Sequence, residues 1–481
     1  MSLLNWRSAL ADVVAGTANA TILCVGDSLT AGCESTGNQM GSNARSGSWP
    51  AVMAGLFQSC AASNASWFGD ADAPGDGFTL PQYDSRITMG SGWTATTNNV
   101  TVGHYAQSQQ SGNTSALSFA PGVEFDRIRL YYATWDGSPE YTVNIGGGTL
   151  ATLDMNRVGD DRTRYSDISC TLGTNTVNVV ATGNYGSING CVVWKSSVKQ
   201  VNIINGGWWG ATSGNYASNA NGWQPIETLK EIAPDLTVVM LGGNDCLNSV
   251  SESTLKANLR TIVDAAKLSG DVLMVGFTRV NPTVVSEATQ TTYIQYIKDI
   301  AIEKGVAFFD PTSRANWASY SAANSAGFKD ADGIHNTAAG YADIAAAIRE
   351  LVDLGSPQIL LPASDIADGA WLPSSGSDLA PMLDASSASY IYTSAPSICE
   401  VALDVAGDPG VSTGHVLSYA TPPGYGNVTV RLKQGSTVIA EFGPHAMTVV
   451  ERVYEQTLTG PQADAITNYA QPLSIEFEAT E

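Results

Sequence analysis

The chain has 481 residues, too many for one ordinary core, and about three domains are expected at that length. Apolar residues make up 43% and charged residues only 14%, with 48 glycines, so a folded chain rich in strand and turn is expected. Lys and Arg number 23 against 45 Asp and Glu, and the net charge of −22 repels phosphate backbones, which excludes nucleic acid as an expected partner.

The opening MSLLNWRSALADVV has no basic stretch followed by an apolar run, so no secretory signal is expected. No later stretch reaches the roughly 18 apolar residues of a bilayer span, so no membrane partner is expected either. Thr21 to Val25 are strand formers, and the run stops on Gly26-Asp27-Ser28. SGSWPAVMAGLFQSC, 46–60, contains a helix. From Asp76 to Lys195 no helix pattern stands out. Runs at 125–132, 141–145, 175–182 and 191–194 read as strands, separated by turn signals such as Asp136-Gly137 and Gly146-Gly147-Gly148. We read 76–195 as an inserted β-sandwich, since an insertion at a loop tip costs little closure entropy.

The βα rhythm returns with strands at 198–205, 236–243, 271–277 and 306–310, and helices at 225–233, 251–268, 289–305 and 337–354. Alternating units of this kind imply a parallel sheet covered on both faces, built from 1–75 and 196–354. After Gly355, SPQILLPASDIADGAW reads as a linker. Alternating runs at 401–405, 427–433 and 473–477 then place a separate β-sandwich at 365–481.

The seven cysteines contain no CxxC pair, so no zinc cluster is expected, and their odd number argues against a full disulfide framework. Cys170 and Cys191 are spaced to close a hairpin, and their pairing stays open. No metal or cofactor is expected.

Each α/β strand ends in something unusual: Gly26-Asp27-Ser28-Leu29, Asn205 to Gly210, and Gly242-Gly243-Asn244-Asp245, with Asp332-Gly333-Ile334-His335 before the last helix. In open parallel sheets the ligand crevice lies outside the carboxyl ends of the strands, so all four segments converge on one rim. A serine nucleophile needs a base. Of the four histidines only His335 falls in the α/β region, and Asp332 three residues earlier can accept a hydrogen bond from its ring. Candidate oxyanion donors are the Ser28 and Gly210 N–H groups and the Asn244 amide. Each tetrapeptide alone is an ordinary cap or turn. Their joint order is what carries weight.

GDSL at 26–29, the glycine-containing loop at 205–212, GGND at 242–245 and DGIH at 332–335 occur in the order of the SGNH hydrolases, or GDSL esterases. Over 1–75 and 196–354 the chain resembles that family. The resemblance implies Ser28 as nucleophile, Asp332 and His335 as orienting acid and base, and an oxyanion hole of Ser28, Gly210 and Asn244. Gly206 and Gly207 remain close rivals of Gly210. It also implies a three-layer α/β/α sandwich, flavodoxin-like, with a five-stranded parallel sheet. Position 30 is Thr, so the serine is not in a GxSxG elbow.

Trp208, Trp209 and Trp223 flank the oxyanion loop and are read either as core residues or as flat walls for sugar rings, with Asp27 as a further substrate contact. Tyr454 to Thr480 resembles the closing stretch of β-sandwich domains in phage virion proteins. Together these readings give a serine esterase that removes O-acyl groups, most readily O-acetyl, from a bacterial surface polysaccharide. It would work in a virion tail or outside the cell, with other virion proteins or further copies of itself as partners. The rival readings are a glycan-binding tail protein without catalysis, and a lipase or thioesterase.

Overall fold

Strands covered on both faces are continuous apolar runs rather than alternating ones. In the computed structural model such runs form Ala20–Gly26 (β1), Gln200–Gly207 (β3), Leu236–Met240 (β4) and Asp271–Val275 (β5), nearly every residue of which is buried. The structure describes residues 3–37, 43–72, 78–109, 115–138, 140–181, 186–353, 362–373, 377–379, 383, 391–393, 396–403, 416–421, 426–447, 452–467 and 473–480. Two short edge strands, Ala61–Ser63 (β2) and Ala307–Phe309 (β6), complete a parallel sheet in the order β2-β3-β1-β4-β5-β6.

This corrects the expected five strands to six. The extra one, β2, has three residues and no buried position, too little to leave a pattern in the sequence. The strand order reverses beside β1: the chain passes from β1 to β2 and β3 on one side, then crosses to β4 on the other. A reversal of this kind is where the crevice of a doubly wound sheet opens.

Helices around this sheet include Leu4–Val14 (α1), Ser28–Ala31 (α2), Trp49–Leu56 (α3), Pro225–Ile232 (α4), Gly243–Leu247 (α5), Glu252–Ala266 (α6), Glu287–Lys304 (α7) and Ala338–Val352 (α8). α3 packs on α8, and α6 packs on α4 and α7. The start of α1 is tied to the end of α8, where Trp6 Nε1 donates to the Val352 carbonyl at 2.7 Å. No helix among the described residues is long and apolar enough to cross a membrane.

Between β2 and β3 the chain builds two antiparallel sheets. One runs Gly148–Asp154, Glu140–Ile145, Val177–Ala181, Leu117–Phe119, Ile87–Met89, and the other runs Arg162–Gly173, Phe125–Thr134, Ser187–Trp194, His104–Gln109, Trp93–Thr101. Ser66–Phe68 joins the second by pairing with Ser187–Trp194. The two sheets share a core that includes Phe119, Phe125, Ile128, Tyr141 and Ile188. One helical turn, Leu80–Tyr83, falls where no helix was expected. The end of the expected strand at 175–182, residue 182, lies outside the described residues.

Residues Met1–Pro357 form one compact unit and Gln358–Glu481 a second. In the second, Pro362–Ala367, Ser397–Leu403, Leu473–Thr480, Asn427–Gln434 and Thr437–Ala446 form an antiparallel sheet, with a separate pair Val416–Thr421 and Arg452–Thr457. Pro362–Ala367 is a strand within the stretch read as linker. Residues 356–361 of that stretch, and 404–405 of the expected strand at 401–405, lie outside the described residues. All seven cysteines, Cys170 and Cys191 included, are free thiols.

Candidate active site

β1 ends at Gly26 because nothing larger fits there. A Cβ would lie 2.0 Å from Thr30 Oγ1 and 2.8 Å from the Met240 carbonyl. The chain then turns at Asp27, whose Oδ1 accepts the Leu29 N–H at 2.9 Å and caps α2. Ser28 is therefore the first helical residue and not the cap, and its own N–H has no carbonyl behind it within the helix. Asp27 is buried with its Oδ1 committed to the Leu29 N–H, so it supports this turn from inside, which corrects its reading as a substrate contact. Burial pushes its carboxyl up to about 7, against the opposing pulls of the Leu29 N–H and the His335 charge.

Asp332 and His335 lie on a tight turn before α8. Ser28 Oγ lies 2.8 Å from His335 Nε2, and His335 Nδ1 lies 2.5 Å from Asp332 Oδ2. The Asp332 Oδ1 accepts the N–H groups of Ile334 and His335 at 2.8 and 2.9 Å. Burial alone would raise this carboxyl. The His335 hydrogen bond and the Ile334 N–H outweigh burial and hold it well below the usual carboxylate range. With Asp332 accepting at Nδ1, the ring presents Nε2 to the hydroxyl as an acceptor.

Two buried groups that sequence reasoning missed support this turn. Lys329 is 5% exposed, and its Nζ donates to the Ile334 carbonyl at 2.5 Å and to Asn336 Oδ1 at 2.8 Å. Burial pulls its pKa down to about 7, although Asp332 and Asp330 oppose this. Tyr341 donates to the Cys33 carbonyl at 2.6 Å, joining α8 to the segment after Ser28.

The loop after β3 is held by the residues of GGND. Asn244 Nδ2 donates to the Ala211 carbonyl at 3.0 Å, and Asp245 accepts the Ser213 N–H and hydroxyl at 2.8 and 2.6 Å. The Trp208 N–H donates to the Gly26 carbonyl at 2.9 Å, which fastens the loop to the end of β1. Between these ties Gly210 is exposed, with φ at +73°, a conformation that favours glycine. Gly206 and Gly207 instead belong to β3 and are buried, packed against Val102 and Ala31.

The tryptophans divide. Trp208 is 5% exposed and belongs to the core, which corrects its reading as a sugar wall. It stacks on His104, with centroids 4.6 Å apart. Trp209 is half-buried against Phe78, and Trp223 is half-buried edge-on to Trp135.

His104 is a second histidine with an acid partner, Asp70, at 2.9 Å from its Nδ1. Both are almost fully buried, His104 has φ at +87°, and its Nε2 has no partner among the described residues. No sequence signal pairs Asp70 with His104, because only the antiparallel sheets bring them together. Glu34, Asp330 and Asp332 bring three carboxylates within 4.8 Å of one another, but Asp332 is already committed to His335.

Residues 181–342 match the model of the GDSL-like Lipase/Acylhydrolase family. The match takes in Gly210, Asn244, Asp332 and His335 and begins after Ser28, which the antiparallel sheets separate from the rest in sequence. No curated protein matches the chain. Among solved structures it is similar to a peptidoglycan O-acetylesterase, at 16% identity and a TM-score of 0.54, over 72% of this chain and 96% of that one. A Bacillus subtilis protein aligns at 14% identity and a TM-score of 0.30, over 61% and 99% of the two chains. Axe2, an acetylxylan esterase from Geobacillus stearothermophilus, aligns at 19% identity and a TM-score of 0.26, over 32% and 73%.

Proposed function

We propose, from a fold shared with an O-acetylesterase and a segment matching an acylhydrolase family, that the chain is a serine esterase. The observation that carries this is the hydrogen-bonded succession of Ser28, His335 and Asp332 at the end of β1. His335 Nε2 takes the hydroxyl proton as Ser28 Oγ attacks the ester carbonyl carbon. The oxyanion that forms is held by the N–H groups of Ser28 and Gly210 and by the Asn244 amide. The intermediate collapses, His335 returns its proton to the leaving alcohol, and a water deprotonated by His335 then releases the acid.

The substrate class we infer is an O-acetylated polysaccharide of a bacterial surface. The acetyl group on which the O-acetylesterase of similar fold acts, and the half-buried Trp209 beside the site, favour it. The antiparallel sheets at 76–195 are assigned to holding the polymer. The C-terminal unit, through its likeness to phage virion domains, is assigned to attachment in a tail. The protein would then act at the cell surface as part of the particle.

Ser28→Ala tests the nucleophile. Turnover of p-nitrophenyl acetate should fall about 10⁶-fold with the thermal transition unchanged. Retained turnover in a folded variant refutes the role.

A further inference from the structure

At the opposite end of the parallel sheet from Ser28 lies a cleft of about 310 Å³, between the starts of β1, β3 and β4 and the face of the second antiparallel sheet. β1 runs seven residues from Ala20 to Gly26, so the cleft lies about 20 Å from the hydroxyl and is not part of the site already described.

Its walls combine two chemistries. Tyr131, Tyr165 and Trp194 supply rings, and Tyr165 is 40% exposed. The Arg129 guanidinium lies 4.1 Å over the Tyr165 ring and 5.9 Å from the Trp194 ring. Asp167 holds that guanidinium at two nitrogens, 2.6 and 2.7 Å, which fixes its plane and neutralises its charge. The same lining includes Asn202, Glu231 and Asp235. Asn202 accepts from Gln200 at Oδ1, and its amide hydrogens have no partner among the described residues. Glu231 has no hydrogen bond or ion pair among the described residues. Desolvation raises its carboxyl although Arg164 and Arg162 oppose this.

These features select a ligand. A phosphate or sulfate would sit against Glu231 and Asp235, with the Arg129 guanidinium in the lining already paired to Asp167. An acyl chain would desolvate both carboxylates for no hydrogen bond. A sugar ring has apolar faces for the aromatic rings and hydroxyls that can donate to the carboxylates and accept from the Asn202 amide.

We propose that this cleft binds a saccharide unit of the polymer, as an anchoring site separate from the ester-cleaving one. The inference rests on the polysaccharide reading above. One chain seated at both points turns each later encounter with the serine into an intramolecular one.

The test uses the full chain carrying Ser28→Ala, so that the polymer stays acetylated. It migrates through native gels cast with acetylxylan, with soluble O-acetylated peptidoglycan or with an O-acetylated capsular polysaccharide. Retardation by at least one polymer is expected. Tyr165→Ala and, as an isosteric variant, Glu231→Gln should each weaken it about tenfold. With Ser28 restored, both variants should hydrolyse p-nitrophenyl acetate like the parent, since that ester is too small to reach the cleft. Retardation by none of the polymers, or equal retardation of both variants and the parent, overturns the cleft. Failure of the parent to cleave p-nitrophenyl acetate overturns the esterase reading instead and leaves the gel result to decide the cleft alone.

Discussion

The parallel and antiparallel halves of the first unit use strands in different ways. In the parallel half the four central strands are buried along nearly their whole length, so their ends are what is left to meet a ligand. Ser28 follows β1, Gly210 follows β3 and Asn244 follows β4. In the antiparallel half the outer strands, such as Arg162–Gly173, mix buried and exposed positions and present side chains from their faces. Under the proposed function, reactive groups collect at strand ends and recognition groups on strand faces. The halves touch where His104 stacks on Trp208, two residues from Gly210.

Asp332→Asn puts the strand-end assignment under the greatest strain. The turn keeps its shape but the ring loses its preferred tautomer, and kcat should fall about 10⁴-fold; a loss under tenfold would separate Asp332 from the reaction. Asn244→Ala should cost about 10²–10³ in kcat with little change in KM, read from steady-state kinetics on p-nitrophenyl acetate. His104→Ala sharpens the border between the halves. It leaves the buried Asp70 without its ring partner and should cost about 2–4 kcal/mol in denaturant unfolding. It should also lower kcat through a displaced Gly210, and unchanged kcat would confine His104 to stability.

Asp27→Asn has the smallest effect. An unfolded Asp titrates near 3.9 and Asp27 in the fold at about 7. Between those values the folded state holds the extra proton, so this group makes stability fall as pH rises from about 4 to 7. Asn removes that slope, which unfolding at pH 5 and 8 would reveal.

The buried strands were legible because LTVVM and DVLMV are continuous apolar runs, and the rim because each run stops on Gly with polar residues behind it. α1 was not read, since Leu3 at its N-cap gives no capping bond and its first and last turns carry no helpful charge. β2, three residues with none buried, left no pattern, whereas the equally short β6 was read within 306–310. Lys329 reads as a surface charge until the fold buries it beneath the turn, and His104 needs a backbone conformation that non-glycine residues rarely take. Trp208 was ambiguous because apolar size alone does not distinguish a wall from a core.

In the register of β1 and β3, Ala20 pairs with Val201 and Gly26 with Gly207. These neighbours are separated by the whole of both antiparallel sheets, so their union is a contact of very high sequence separation. Closing so long a loop becomes affordable once the intervening sheets have collapsed and drawn its ends together. On this argument the Ser28 hydroxyl and the loop of Gly210 are expected to come together late in folding. A nascent chain released before Val201 carries the serine on a strand with no parallel neighbour on that side.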